Sequence, residues 1–233
     1  MKLVVGNFKM NLLKEDIAKY LKEMKKHSFK NVVFCPSNIY LNEFIDHNLE
    51  VGCQDISFKD MGAYTGDVSA AQIASLGVHY AIIGHSERRK YYNDGIFVNQ
   101  KLKLCLDNKL IPILCIGESL KEKENNKTKN VLKKNLDDAF KDIVPNNVII
   151  AYEPLWSIGT GKIPSNQDIY ETVEFIKQYA YDKYRVKLKV LYGGSVNDKN
   201  INTLADIDNV DGFLIGGASI KTNEFLNIIK VLR

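Results

Sequence analysis

Apolar residues along this chain fall into two kinds of segment that take turns. Short runs at 3–6, 32–35, 49–53, 80–84, 111–116, 148–151, 188–192 and 212–215 are rich in Val, Ile, Leu and Tyr and show little polar alternation. Strands covered on both faces read this way. Between them the apolar positions are spaced by three and four: Ile17, Tyr20, Leu21 and Met24; Leu132, Leu136, Ala139 and Ile143; Ile169, Val173, Ile176 and Ala180; Phe225, Ile228, Ile229 and Leu232. That spacing puts each set on one stripe of a helix. Ser165, just after Pro164 and three residues ahead of Asp168, predicts a capped helix start.

Strands joined by helical crossovers pair in parallel. Eight such units in 233 residues predict an α/β fold, a single-domain (β/α)8 TIM barrel spanning residues 1–233. The rival is an open doubly wound sheet, which carries its phosphate-binding glycines after the first strand. Here the first run leads into Asn7-Phe8-Lys9, and the glycine pairs Gly193-Gly194 and Gly216-Gly217 come late.

Charge adds a little. The net +4 is spread through mixed runs such as Lys22-Glu23-Met24-Lys25-Lys26 and Lys121-Glu122-Lys123-Glu124. These read as solvated helix faces, not as the one-signed patch that nucleic acid requires. A mild positive bias suits a small anionic substrate. Cys35, Cys53, Cys105 and Cys115 form no C-x-x-C pair and sit among apolar residues. They read as buried free thiols, which favours a reducing compartment. No apolar run approaches the roughly 20 residues of a membrane span, and the N-terminus turns polar too early for a signal peptide. The expectation is a cytoplasmic protein with no membrane partner. His27, His47 and His79 have no second ligand at a metal spacing, so no metal site is expected.

In a barrel the chemistry gathers where the strands end. Asn7 and Lys9 follow the first run, and His85, Ser86 and Glu87 the fourth. Gly117 and Glu118 follow the fifth, and Glu153 the sixth. Gly193-Gly194-Ser195 follows the seventh, and Gly216-Gly217-Ala218-Ser219 the eighth. Each has an ordinary reading: a solvated lysine, a histidine capping a helix, a carboxylate in a buried ion pair, glycines in plain turns. Their coincidence at the ends of different strands is the stronger signal. Gly159-Thr160-Gly161-Lys162 resembles the tail of a phosphate loop but fails the motif. Trp156 stands where its first glycine belongs, and Ile163 where Ser or Thr belongs.

Several segments, in order from Gly6 to Ser219, resemble those of the triosephosphate isomerases. Asn7-Phe8-Lys9-Met10-Asn11 is similar to the family's Asn-Trp-Lys-Met-Asn. Gly62-Ala63-Tyr64-Thr65-Gly66 resembles its interface loop. Ile83-Gly84-His85-Ser86-Glu87-Arg88-Arg89 and Ala151-Tyr152-Glu153-Pro154-Leu155-Trp156 resemble the segments around its catalytic histidine and glutamate. Tyr192-Gly193-Gly194-Ser195-Val196 and Phe213-Leu214-Ile215-Gly216-Gly217-Ala218-Ser219 resemble its phosphate loops. There are departures. Phe8 replaces Trp, Ser37 replaces a proline and Asp55 stands where Asn is common. Tyr92-Asn93-Asp94 replaces Phe-Gly-Glu, and Ser157 a frequent Ala. Asp55 and Asp94 are expected to alter hydrogen bonding around Lys9 and His85.

The resemblance implies an isomerase of glycolysis and gluconeogenesis that interconverts dihydroxyacetone phosphate and glyceraldehyde 3-phosphate without a cofactor. It implies Glu153 as base, His85 as electrophile, and Asn7 and Lys9 beside them. Backbone N–H groups of the turn opening at Ser86-Glu87 would disfavour an imidazolium, and Glu87 would either orient or shuttle protons or form a structural ion pair. Gly159, Ser195, Gly216 and Gly217 would cradle the phosphate with Lys9, helped by a short helix after the eighth strand. Residues 154–162 would close over the ligand. The loop at Tyr64 and Thr65 would enter a second subunit, making a homodimer. Apart from the resemblance, the late glycines also fit another sugar-phosphate barrel enzyme. A non-catalytic barrel binding protein would have lost the base or the electrophile, and both are present.

Overall fold

The computed structural model describes residues 1–158 and 162–233. Its strands are β1 (Leu3–Asn7), β2 (Val32–Cys35), β3 (Gly52–Cys53), β4 (Tyr80–Ile83), β5 (Ile111–Ile116), β6 (Ile149–Tyr152), β7 (Lys189–Tyr192) and β8 (Gly212–Ile215). They run in the order β2-β1-β8-β7-β6-β5-β4-β3, every pairing parallel. A bridge between Phe34 and Val51 brings β2 back to β3 and closes the ring.

The third strand is shorter than the apolar run that predicts it. Above Cys53 a side chain takes over from the ladder: the Gln54 amide donates to the Cys35 carbonyl at 2.9 Å and to the Lys9 carbonyl at 2.8 Å. Backbone pairing thus gives way to an amide that also holds the loop after β1.

Around the ring lie α1 (Lys14–Met24), α2 (Leu41–Ile45), α3 (Ala70–Ser75), α4 (Ser86–Tyr92), α5 (Val98–Asp107), α6 (Leu120–Glu124), α7 (Thr128–Ala139), α8 (Asn166–Tyr184), α9 (Ile201–Ala205) and α10 (Thr222–Val231). The expected stripes are the buried ones: Ile17, Tyr20, Leu21 and Met24 on α1, and Ile169, Val173, Ile176 and Ala180 on α8. Ile143 falls beyond α7, in a turn where its N–H reaches the Phe140 carbonyl, and still packs against the core. Ser165 caps α8 as expected. Its hydroxyl accepts from the Asp168 N–H at 3.0 Å, and the Asp168 carboxylate accepts from the Ser165 N–H at 3.3 Å.

Alternation along the strands sorts side chains into two cores. Val5, Val33, Cys35, Ile82, Ile113, Cys115, Ile149, Ala151, Leu191 and Leu214 fill the barrel. Val4, Phe34, Ala81, Leu114, Ile150, Val190 and Phe213 face outward against the helices. The runs look uniformly apolar because both faces are buried. Cys35, Cys53, Cys105 and Cys115 are buried free thiols, as expected.

Candidate active site

Five strand ends deliver the expected groups to one cavity of about 320 Å³. Asn7, Lys9, His85, Glu153, Ser195, Gly216 and Gly217 all line it, with Ile158 at its edge. Asn7 is the last residue of β1, and its side-chain oxygen accepts the Lys9 N–H at 3.0 Å. Lys9 takes a left-handed backbone conformation, φ 53°. Its carbonyl is held by Gln54 at 2.8 Å and by the Ser37 hydroxyl at 3.2 Å. A non-glycine residue fixed there carries strain that its neighbours must hold.

His85 follows β4 through Gly84, whose φ of +68° and lack of room for a Cβ suit glycine. A Cβ there would lie 2.8 Å from the Arg89 guanidinium and 2.9 Å from Val98. His85 does cap a helix, and the cap serves the site. Its Nδ1 accepts the Glu87 N–H at the start of α4, at 3.2 Å. With Nδ1 an acceptor, the ring proton sits on Nε2. Nε2 faces Glu153 Oε1 at 3.3 Å, and Glu153 Oε2 accepts the Ser86 N–H at 3.3 Å. Both side chains are buried, His85 at 5% and Glu153 at 2% exposure. Glu87 divides its carboxylate, with Oε1 2.7 Å from Lys9 Nζ and Oε2 3.7 Å from His85 Nδ1. Its carboxylate is thus the ion-pair partner of Lys9, and what it gives His85 is the backbone N–H on Nδ1.

After β8 the chain makes two overlapping tight turns instead of the expected short helix. The Ser219 N–H reaches the Gly216 carbonyl at 2.8 Å, and the Lys221 N–H reaches the Ala218 carbonyl at 3.2 Å. Three-residue spacing tightens the turn so that Ser219 folds inward, and its hydroxyl donates to the carbonyl of Gly216 at 2.7 Å. At Gly217 a Cβ would meet nothing within 4 Å, so that backbone fronts open space where a ligand can approach. Gly159 lies outside the described residues.

Two groups escaped assignment from sequence. Gln54 directly follows the third apolar run, so the strand-end rule already pointed to it. Glu118 follows the fifth by two residues and is buried at 1% exposure. It accepts from the Trp156 indole at 2.9 Å and from the Tyr152 hydroxyl at 3.2 Å, and burial raises its pKa above the ordinary value. It anchors the root of the loop after β6.

The departures at 55 and 94 act elsewhere than expected. Their carboxylates pair with Lys101 and Arg88, at 2.7 Å from the Lys101 ammonium and, for Asp55, 2.8 Å from Arg88 Nε. Tyr64 and Thr65 stay on the exposed loop tip and do not line the cavity of their own chain. Among the described residues no cluster of three or more His, Cys, Asp or Glu is placed to hold a metal.

A family model described as triosephosphate isomerase matches residues 2–232. Curated relatives carry the same name. One from Alkaliphilus oremlandii is 38% identical over 97% of this chain and 98% of its own length. One from Clostridium botulinum (strain Langeland) is 39% identical over the same shares. One from Endomicrobium trichonymphae is 37% identical over 98% of this chain and 97% of its own.

Proposed function

The chain belongs to the triosephosphate isomerase family, and from that premise we propose how its residues interconvert dihydroxyacetone phosphate and glyceraldehyde 3-phosphate. The observation that carries the assignment is the buried pair Glu153 and His85, with Nε2 of the imidazole 3.3 Å from the carboxylate and both side chains lining one cavity. Glu153 takes a proton from one substrate carbon and returns it to the next. Its carboxylate spans two adjacent carbons with little movement. Negative charge then builds on two neighbouring oxygens of the enediol(ate). His85 Nε2–H donates there, with the Asn7 amide and the Lys9 ammonium beside it. A carboxylate base with a neutral imidazole is the pairing known for this family. Ser86 holds the base in place between turnovers through its N–H, and Glu87 holds His85 and Lys9 in register.

The phosphate fits the far side of the cavity. Gly216 and Gly217 offer backbone N–H groups, Ser195 a hydroxyl once its proton turns from the Ser157 carbonyl toward the phosphate, and Lys9 the full positive charge. The reaction moves one proton between adjacent carbons and one between their oxygens and leaves the electron count of the substrate unchanged, so carboxylate and imidazole suffice without a cofactor.

A homodimer completes the reading. Met10, Leu13, Met61, Tyr91, Tyr92 and Ile96 are large apolar side chains left exposed on loops and helix ends after β1, β3 and β4. Large apolar side chains left in water suit burial against a partner, and the loop at Tyr64 and Thr65 carries one of them, Met61. Four buried free thiols support a cytoplasmic location, and no helix among the described residues is long and apolar enough to cross a membrane.

The test is turnover of glyceraldehyde 3-phosphate, coupled to NADH-dependent reduction of dihydroxyacetone phosphate, beside Glu153→Gln. Fast turnover that falls by at least about 10³-fold in the variant supports the assignment. A well-folded but inert wild-type protein would sink it.

A further inference from the structure

The loop after β6 departs from the family at Ser157, and the structure gives that hydroxyl unusual company. Ser157 is fully buried. A serine hydroxyl has one proton to give and two lone pairs to offer. Here the proton goes to the Lys162 carbonyl at 2.6 Å, on the returning arm of the same loop. The lone pairs face the Ser195 N–H at 3.4 Å and the Tyr192 hydroxyl at 3.4 Å. Burial pushes the Tyr192 phenol up to about 12, so it keeps its proton and can donate. One residue over, the Ser195 hydroxyl donates to the Ser157 carbonyl at 2.6 Å. Space is as tight as the bonding: a Cβ at Gly194 would fall 2.1 Å from the Tyr192 hydroxyl and 2.9 Å from Ser157 Oγ. An alanine at 157 would supply none of the three hydroxyl contacts.

We propose that Ser157 is a positioning residue for the phosphate end of the substrate. Its hydroxyl ties the outgoing and returning arms of the loop after β6 to each other and to the loop that carries Ser195, and so fixes where Ser195 stands in the cavity. The reacting carbons lie on the other side, at Glu153 and His85, so the hydroxyl serves binding and leaves the proton transfers alone. This inference rests on the isomerase reading above.

The experiment is Ser157→Ala, which installs the residue frequent in the family and so should fold. It is assayed with glyceraldehyde 3-phosphate, with glyceraldehyde lacking the phosphate, and with inorganic phosphate as a competing ligand. The expected result is a rise of about three- to tenfold in KM and in the phosphate inhibition constant, with kcat for the phosphorylated substrate and turnover of glyceraldehyde within about twofold of wild type. Unchanged KM and inhibition constant, a loss confined to kcat, or an equal loss on glyceraldehyde overturns the proposal. If the variant melts far below wild type, Tyr192→Phe in the same assays decides. It removes one partner of the hub, so a smaller rise in KM supports the proposal and no rise defeats it. A wild-type protein without isomerase activity defeats the functional reading, whereas an active wild type with an indifferent Ser157→Ala defeats this inference alone.

Discussion

Lys101 shows how a single residue can hold two substitutions together. It lies on α5 at 2% exposure, with its ammonium 2.8 and 2.7 Å from the two oxygens of Asp55 and 2.7 Å from Asp94. Asp94 has a side chain one methylene shorter than the Glu usual in the family, and Asp55 brings a charge where Asn is common. The two changes meet on one cation. Arg88, from the helix that His85 caps, closes the group on Asp55. Burial pushes the Asp55 carboxyl above its ordinary range by more than Lys101 pulls it down. Removing Lys101 strips the buried Asp94 of its close partner and leaves Asp55 with Arg88 alone. Lys101→Met should therefore cost about 3–5 kcal/mol of stability, read as a drop in the urea midpoint. A variant as stable as wild type would show that the carboxylates find other partners. None of this could be read from the sequence. Lys101 sits on a helix stripe beside Leu102 and Cys105, and only the fold brings it to Asp55, 46 residues away.

Helices and strands were more legible, because their boundaries follow local rules. The apolar stripes of α1 and α8 and the Ser165 cap are spaced as isolated helices would space them. What the sequence withheld were the points where a side chain replaces a backbone bond. Gln54 ends β3 early, and the i→i+3 bonds after β8 make a turn where a helix was expected. The union of α7 and α8 is another such point. Asp137 on α7 accepts from the Tyr179 and Tyr184 hydroxyls of α8, at 2.8 and 2.6 Å, and pairs with Lys183 at 2.6 Å. Burial works against the charged form, but hydrogen bonds from Lys183, Tyr184 and Tyr179 outweigh it and hold the carboxyl below its ordinary 3.8. A depressed carboxylate contributes stability that is present above the unfolded pKa and is lost as pH falls through the folded one. Asp137→Asn should thus melt below wild type at pH 7, with the gap narrowing as pH drops under about 4. A gap that stays constant with pH would mean the clamp acts through shape and not charge.

At the scale of the whole molecule, the candidate site was legible because a barrel brings all its strand ends to one rim. Asn7, His85, Glu153, Ser195 and Gly216 are spread over more than 200 residues, yet each comes within three residues of the end of an apolar run. Knowing the architecture was enough to collect them. The exposed apolar loops are the other large-scale feature, and they predict association. Light scattering should give twice the 26.5 kDa mass of the chain, and Met61→Lys, which puts a charge on the exposed loop tip, should shift the mass toward monomer and lower activity with it. A fully active monomer would remove the partner subunit from the account.

The two cores also bear on how such a chain can change over generations. Strand residues point alternately into the barrel and out toward the helices, while the reacting groups Glu153 and His85 hang beyond the last residue of their strands and belong to neither packing layer. A substitution within either layer is paid in stability, in steps of about 1 kcal/mol, and leaves the rim where it was. Selection can therefore tolerate drift in the layers as long as the total holds, while acting on the rim separately. A relative that shares only 38% of its aligned residues with this chain is what such a division of labour permits.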